Sequence, residues 1–116
     1  MFHLSLPVAD LNACERFYRE AFGARVQPLR RGVSNVHVFG AQLTFHERHE
    51  SAMTVAARAD MHFGQVVSVT DWKAIHARLV EAGFPLVRCA EPSEGQRGKL
   101  IVEDPSGNLV EINSSD

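Results

Sequence analysis

Three side chains in this sequence combine residue types that bind divalent metals with repeated positions along the chain. His3 and His62 each begin an apolar stretch with a period of two, and Glu111 interrupts the apolar pattern of residues 109–112. Two neutral imidazoles and one carboxylate suit Fe²⁺, Mn²⁺ or Zn²⁺ and leave positions open for a substrate. A buried carboxylate without a partner would be unfavourable, and a metal would offset that cost. These residues are therefore candidate metal ligands.

The alternation of side chains along strands predicts that the candidate ligands lie on one kind of surface. In each of four predicted strands, one face is apolar and the other carries a polar or titratable residue. His3, His62 and Glu111 all lie on such polar faces. The corresponding face of another strand carries Gln42, Thr44 and His46. His46 is a candidate proton carrier or a hydrogen-bond donor to a ligand, while Gln42 and Thr44 are candidate hydrogen-bonding groups for a substrate.

The elements that must position these residues occur twice. "HLSLPVADLNACERFYREAFGA" in the first half and "HFGQVVSVTDWKAIHARLVEAGF" in the second each join a strand to a helix that closes on glycine. Three further strands are predicted after each helix, over residues 25–29, 33–39 and 42–46, and over residues 86–89, 99–102 and 109–113. The pattern is βαβββ twice in one domain, with modules at about residues 1–50 and 60–116.

Both helices carry recognisable end signals. Asp10 is the predicted N-cap of the first helix and Gly23 its C-terminal glycine. In the second helix we predict Thr70 or Asp71 as the N-cap and Gly83 as the end. Its predicted buried stripe comprises Trp72, Ile75, Leu79 and Val80. Residues 47–60, "ERHESAMTVAARAD", are polar and Ala-rich and are predicted to be a linker.

The predicted fold class is α+β. A four-stranded sheet with one helix buries only one of its faces, so two such sheets side by side make a half-open cup of mixed sheets. The helices are expected on the convex face and the candidate site on the concave face.

Composition narrows the function classes. A net charge of −2 and a pI near 6.3 give no electrostatic footprint for nucleic acid or an acidic membrane. The apolar runs are short of the roughly 18–20 residues that span a bilayer, and the first residues lack the basic segment of a signal peptide. Two widely separated cysteines, Cys14 and Cys89, do not match metal or redox motifs. We expect a reduced cytoplasmic protein with a small-molecule substrate and no nucleic-acid or membrane partner.

The segment from Cys89 to Leu100 is rich in glycine and charge, which is typical of a surface loop. As an alternative, it could form a lid in which Arg97 or Lys99 meets an anionic substrate. Of the remaining histidines, His37 is expected on a strand face, His49 in the linker and His76 at the edge of a helix stripe.

The repeated βαβββ pattern, with "ERFYREAFG" after His3 and "DPSGNLVEI" after His62, resembles the vicinal oxygen chelate superfamily over essentially the whole chain. That superfamily includes glyoxalase I, extradiol dioxygenases, fosfomycin-resistance enzymes and bleomycin-resistance proteins. The segments "GAQLTFH" and "HFGQVVSVTDW" are most similar to its small single-domain extradiol-dioxygenase-like proteins. Members are typically dimers, so the resemblance implies a homodimer, with the two modules paired within a chain or exchanged between chains.

The resemblance also implies roles for single residues. His3, His62 and Glu111 fall on the metal positions of the first, fifth and eighth strands. Gln42 falls where glyoxalase I has a fourth ligand, which disfavours that activity. His46 falls near the acid–base histidine of ring-cleaving dioxygenases, whereas Ile101 stands where those enzymes have a tyrosine.

Two classes of function follow. The first is a metal-dependent enzyme, most dioxygenase-like and with Fe²⁺ favoured over Mn²⁺ or Zn²⁺, whose substrate chelates the metal through adjacent oxygens. The second is a metal-free protein that binds a small molecule such as an antibiotic. A thiol transferase of the fosfomycin-resistance type shares the ligand set but would need a basic cluster, for which Arg97 and Lys99 are the candidates.

Overall fold

The computed structural model describes residues 1–50, 53–58 and 60–116 of the chain. Two βαβββ modules follow one another, as the repeat predicts. The first comprises β1 (Phe2–Val8), α1 (Leu11–Phe22), β2 (Arg25–Arg30), β3 (Val33–Val38) and β4 (Ala41–Glu47). A short helix, α2 (Val55–Arg58), precedes the second. That module comprises β5 (His62–Val67), α3 (Val69–Ala82), β6 (Leu86–Ala90), β7 (Lys99–Glu103) and β8 (Leu109–Ser114).

Each module forms its own mixed four-stranded sheet. The strand orders are β1-β4-β3-β2 and β5-β8-β7-β6, so the second sheet repeats the topology of the first. In each sheet the first and last strands of the module run parallel, and the other pairs are antiparallel. The sheets are not closed, and β1 and β5 are edge strands. The α+β fold with two open sheets is confirmed.

The caps of α1 agree with the sequence, whereas one cap of α3 does not. The Asp10 carboxylate accepts a hydrogen bond from the amide of Ala13 at 3.0 Å, and Gly23 ends α1 with a φ of 68°. The N-cap of α3 is Ser68, whose hydroxyl accepts from the amide of Asp71 at 3.1 Å. The prediction of Thr70 or Asp71 was wrong because α3 begins directly after β5, without an intervening loop.

The stripe predicted for α3 is narrower than expected. Trp72, Ile75 and Leu79 are buried, but Val80 is 60% exposed. The three buried positions, spaced by three and four residues, already fill the side of the helix that faces the sheet. Val80 therefore lies beside the contact rather than in it.

The predicted linker is only partly a linker. It contains α2, and the side chain of Arg58 at the end of that helix is buried. Its Nη1 donates to the carbonyl of Gly107 at 2.6 Å and lies 3.4 Å from Glu103 Oε1. The segment therefore packs on the turn between β7 and β8. Within the same prediction, residues 51, 52 and 59 lie outside the described part of the chain.

A single hydrophobic core joins the two modules. Each helix covers one face of its own sheet, and α1 and α3 also contact each other. Phe17 of α1 packs edge-on against Phe84, which follows α3, with ring centroids 4.9 Å apart. The opposite faces of both sheets are thereby left for other contacts. Among the described residues, no helix is both long and apolar enough to cross a membrane.

The core contains a thiol whose ionisation should weaken the fold at alkaline pH. Cys14 is fully buried, and burial raises the pKa of its thiol from 9.0 to about 12. The unfolded thiol therefore ionises first, so this group's contribution to stability is complete below pH 9.0 and is lost as pH rises towards 12. We expect the free energy of unfolding to fall by about 1.4 kcal/mol more in the wild type than in Cys14→Ala between about pH 8 and about pH 10. Urea titrations at both pH values measure this difference, and an equal fall in the free energy of unfolding in the two proteins would contradict it.

Candidate metal and substrate site

His62 and Glu111 meet on the face of the second sheet that is turned away from the core. The parallel pairing of β5 with β8 places His62 opposite Leu109 and Gly64 opposite Glu111, so the two side chains project on the same side. Nε2 of His62 lies 3.0 Å from Oε2 of Glu111. The histidine side chain is 44% exposed and the glutamate side chain 15%, so solvent reaches the pair mainly on the histidine side.

A backbone carbonyl sets the orientation of the His62 ring. Nδ1 lies 2.7 Å from the carbonyl oxygen of Asp60, which can only accept a hydrogen bond, so Nδ1 carries a proton. In a neutral ring, Nε2 then presents its lone pair to the carboxylate of Glu111. Two acceptors 3.0 Å apart repel unless a proton or a cation lies between them. The same arrangement, with Nδ1 held by a carbonyl and Nε2 facing the ligand position, is typical of metal-binding histidines.

Lys99 supplies a cation to the other oxygen of the same carboxylate. Its Nζ lies 3.2 Å from Oε1 of Glu111, and its side chain is 39% exposed. In the β7–β8 register Lys99 is opposite Asn113, and Ile101 is opposite Glu111, so the lysine approaches the carboxylate diagonally on one face of the sheet. Oε1 of Glu111 thus has a cationic partner, whereas Oε2 faces Nε2 of His62.

Asn113 lies beside this cluster with an unused acceptor. Among buried side-chain polar atoms of the described residues, only Oδ1 of Asn113 has no hydrogen-bond partner. Such atoms are rare in folded proteins, so Oδ1 of Asn113 is a candidate acceptor for a water, a ligand or a neighbouring side chain. Alternation along the last strand predicts that Asn113 shares a face with Glu111, but it gives no signal that its Oδ1 lacks a partner.

Gly64 permits the close approach of β5 to β8 at the site. A Cβ built on Gly64 would lie 1.8 Å from the carbonyl oxygen of Glu111 and 2.7 Å from its carbonyl carbon. No side chain fits at that distance, so glycine is required wherever β5 keeps this position. Beside it lies an open hollow of about 310 Å³, lined by His62, Phe63, Gly64, Gln65, Val66, Glu111 and Asn113.

The first sheet carries a second polar face. In the register of β1 and β4, His3 is opposite Gln42, Ser5 opposite Thr44, and Pro7 opposite His46. The predicted grouping of these side chains on one face is therefore what the strand pairing produces.

Two further polar residues lie on this face of the first sheet. β3 brings Asn35 opposite Thr44 and His37 opposite Gln42. The hydroxyl of Thr44 donates to Oδ1 of Asn35 at 2.7 Å. The sequence contained the signal for both residues, because they alternate with the buried Val36 and Val38.

One chain does not bring all the predicted ligands together. His62 and Glu111 are in contact, whereas His3 lies on the other sheet. Across residues 1–50, 53–58 and 60–116, there is no group of three or more His, Cys, Asp or Glu side chains arranged to hold a metal. Arg97 is exposed in the loop between β6 and β7. The base of that loop is anchored where the amide of Gly98 donates to the Ser114 hydroxyl at 2.7 Å.

A family model described as "Glyoxalase/Bleomycin resistance protein/Dioxygenase superfamily" matches residues 1–112. The chain belongs to this superfamily. The sequence-based resemblance is thereby confirmed at the level of the family, which contains proteins of several different activities.

Individual members of the superfamily are similar to this chain over most of its length. Virulence protein STM3117 of Salmonella typhimurium is 28% identical over 119 residues, which cover 95% of this chain and 80% of that protein. A superfamily protein from Alicyclobacillus acidocaldarius has the same fold, with a TM-score of 0.81, 24% identity, and coverage of 98% and 89% of the two chains.

A structural neighbour from Listeria monocytogenes contains a metal. It is a variant of the fosfomycin resistance protein FosX in complex with Mn(II) and 1S,2S-dihydroxypropylphosphonic acid. Its TM-score is 0.77 at 18% identity, with coverage of 97% of this chain and 86% of that one. At this identity the likeness establishes a shared fold.

In the present chain, the turn that precedes β8 also joins the two modules. The Asp104 carboxylate accepts hydrogen bonds from the Tyr18 hydroxyl at 2.8 Å and from the amides of Ser106 and Asn108, both at 2.9 Å. Tyr18 belongs to α1, so the hairpin that carries Glu111 is tied to the first module. Burial raises the pKa of Asp104, and these hydrogen bonds oppose that shift. The sequence predicted the turn but not its partner in α1.

Proposed function

We propose that this chain is a divalent-metal-dependent enzyme acting on a small substrate that chelates the metal through adjacent oxygens, with dioxygenase-like chemistry favoured. The observation that carries the proposal is the His62–Glu111 pair, in which Nε2 faces a carboxylate oxygen at 3.0 Å while Nδ1 is held by a carbonyl. His62 and Glu111 would hold the metal together with His3. Fe²⁺ is the favoured ion, and Mn²⁺ or Zn²⁺ suits the same nitrogen and oxygen donors.

The other polar residues have roles that follow from their positions. When bound, the metal would act as a Lewis acid towards charge developing on the substrate oxygens. His46, on the polar face of the first sheet, would move a proton. Gln42 would donate to the substrate, and Thr44 would accept from it because its own proton is directed to Asn35. Arg97 and Lys99 would contact an anionic group. Two free cysteines suit a reducing, cytoplasmic compartment.

The third ligand requires a second copy of the chain in this proposal. β1 and β5 are edge strands that each pair on one side only, and exposed apolar side chains lie on or next to them, with Phe2 67%, Met61 56% and Val66 57% exposed. A homodimer that places β1 of one copy next to β5 of the other would cover these edges. It would also bring His3 of one copy to His62 and Glu111 of the other.

Metal content tests the ligand set. In protein purified anaerobically, we expect about one Fe, Mn or Zn per wild-type chain and at least a tenfold lower affinity in Glu111→Ala, because the carboxylate is a charged ligand. Glu81→Ala is the matched control, since it removes an exposed glutamate from α3, away from the site. Elemental analysis and metal titration give both values. Absence of metal from the wild type, even after each ion is added back, would contradict the proposal.

Mixing two inactive variants tests the exchange between chains. His3→Ala and Glu111→Ala should each bind metal at least tenfold more weakly than the wild type, so neither holds metal at a concentration that fills the wild-type site. A heterodimer of the two would contain one site built from intact His3, His62 and Glu111 and one site that lacks two of them. Random pairing after mild unfolding and refolding makes about half of the dimers heterodimers. The mixture should therefore bind about half a metal ion per dimer. If the three ligands came from one chain, the mixture would bind no more metal than its components.

Lys99 favours a second candidate, a metal-free protein that binds a small molecule. The lysine ammonium already neutralises the carboxylate of Glu111 at 3.2 Å, which a binding protein without metal would need. Full retention of ligand binding after chelation would identify this function. A thiol transferase of the fosfomycin-resistance type remains the alternative reaction within the enzyme class, with Arg97 and Lys99 as its basic residues.

A further inference from the structure

We infer that Lys99 competes with the metal for the carboxylate of Glu111. When the metal binds, the ammonium group of Lys99 moves from Glu111 to Asn113. There it recognises an anionic group of the substrate. The inference rests on the proposed metal site. It adds a coupling between metal binding and substrate binding that the ligand set alone does not contain.

The first step in the argument is competition for one carboxylate. Glu111 is only 15% exposed; its Oε2 faces Nε2 of His62 at 3.0 Å, and its Oε1 is paired with Nζ of Lys99 at 3.2 Å. A divalent ion bound to His62 and Glu111 would lie within a few ångströms of the ammonium group. Like charges at this distance repel strongly in a partly buried site, so Lys99 must leave Glu111 when the metal binds.

The second step is that an alternative acceptor is already present. Lys99 and Asn113 are direct partners in the β7–β8 register, so their side chains are neighbours on the polar face. Oδ1 of Asn113 is buried and, among the described residues, stands out by lacking a hydrogen-bond partner. The four-carbon stem of lysine allows Nζ to move between adjacent acceptors without a change in the backbone. The unused acceptor therefore marks the second position of Lys99.

The consequence concerns the substrate. With one N–H directed to Asn113, the ammonium group has two further donors at the edge of the hollow lined by His62, Gly64 and Glu111. An anionic oxygen bound there would be close to the metal ligands. Metal binding should therefore raise the affinity for an anion, and an anion should raise the affinity for the metal by the same factor.

Manganese titration of purified protein, followed by the signal of free Mn(II), tests the competition. Lys99→Gln should bind Mn(II) about tenfold more tightly than the wild type, since one ion pair and one repulsion are removed. Lys99→Arg, which retains the charge, should bind like the wild type, as should the control Lys73→Gln on the exposed side of α3. Asn113→Leu should bind Mn(II) more weakly because Lys99 then has no second acceptor.

Inorganic phosphate is the probe for the coupling. Its affinity should be higher with Mn(II) than without in the wild type, and this difference should be smaller in Lys99→Gln, in which only direct coordination of phosphate to Mn(II) is left. Equal or weaker Mn(II) binding by Lys99→Gln, or phosphate coupling that is not reduced by the substitution, would overturn the inference and leave the metal site intact. Failure of every variant and of the wild type to bind Mn(II) would overturn both the inference and the proposed function.

Discussion

Gly64→Ala is expected to lower the free energy of unfolding by about 3 kcal/mol or more and to abolish the proposed metal binding at His62 and Glu111. A methyl group at this position would lie 1.8 Å from the carbonyl oxygen of Glu111, which belongs to the backbone and cannot rotate away. β5 must therefore move away from β8, and the hydrogen bonds between the two strands lengthen or break. Because His62 is on β5 and Glu111 on β8, the same movement separates the two proposed ligands.

A matched glycine distinguishes this steric effect from a general glycine effect. Gly95 has a φ of 77° in an exposed turn, and a Cβ there would contact nothing within 4 Å. Gly95→Ala should cost only about 1–2 kcal/mol of backbone strain and leave metal binding unchanged. Chemical unfolding and metal titration of both variants measure the difference. If Gly64→Ala kept wild-type stability and metal affinity, the close approach of β5 to β8 would not be what positions the ligands.

Asp104→Ala is expected to cost about 4 kcal/mol of stability, since it removes the acceptor for several buried donors at once. The Tyr18 hydroxyl and the amides of Ser106 and Asn108 would lose their partner. Asp104 is 3% exposed, so water would not replace the carboxylate without rearrangement of the turn. The effect should extend to the site, because this turn leads directly into the strand that carries Glu111.

A smaller substitution distinguishes the hydrogen bond between α1 and the turn from the hydrogen bonds within the turn. Tyr18→Phe removes only the hydrogen bond that crosses from α1 to the turn, and we expect a loss of about 1–2 kcal/mol. Ser5→Ala, an exposed hydroxyl on β1, should be neutral. Urea titration of the single variants and of the double variant with Asp104→Ala gives their interaction energy. If the losses of unfolding free energy for the Tyr18 and Asp104 variants were additive, the hydrogen bond between these residues would not stabilise the contact of α1 with the turn.

The ionisation of Asp104 adds a pH dependence of known sign. Burial raises its pKa above the ordinary value of 3.8, so the folded protein binds the proton more tightly than the unfolded chain. The stability that this group contributes is complete below 3.8 and is lost as pH rises through the raised pKa of the folded state. The stability of the wild type relative to Asp104→Asn should therefore increase as pH is lowered towards 3.8. A constant difference across that range would contradict the raised pKa.

Much of the fold could be predicted because local rules determine it. The α1 boundaries follow from Asp10 as a side-chain cap and Gly23 as a residue that adopts a positive φ. The N-cap of α3 was misassigned because Ser68, Thr70 and Asp71 are all good capping residues, and only the end of β5 decides among them. Likewise, the burial of Arg58 depends on the carbonyl of Gly107, which is 49 residues away in sequence.

The candidate site was predictable to the same extent and for the same reason. Alternation along β1, β4, β5 and β8 assigned His3, Gln42, His62 and Glu111 to polar faces, and the strand register agrees. Alternation contains no distances between strands. It therefore did not indicate that Lys99 reaches Glu111, that Asn113 lacks a partner, or that Gly64 is needed for the approach of two backbones.

By itself, the sequence determined the repeated βαβββ order, the superfamily and the face on which each candidate ligand lies. These properties depend on periodicity, capping and turn residues, which act over a few neighbouring positions. Only the tertiary structure decided that His62 contacts Glu111 while His3 lies on a separate sheet, and that Tyr18 holds the turn before β8. Such contacts depend on how the two sheets pack through α1 and α3, and that packing is the sum of many weak apolar contacts that no single segment encodes.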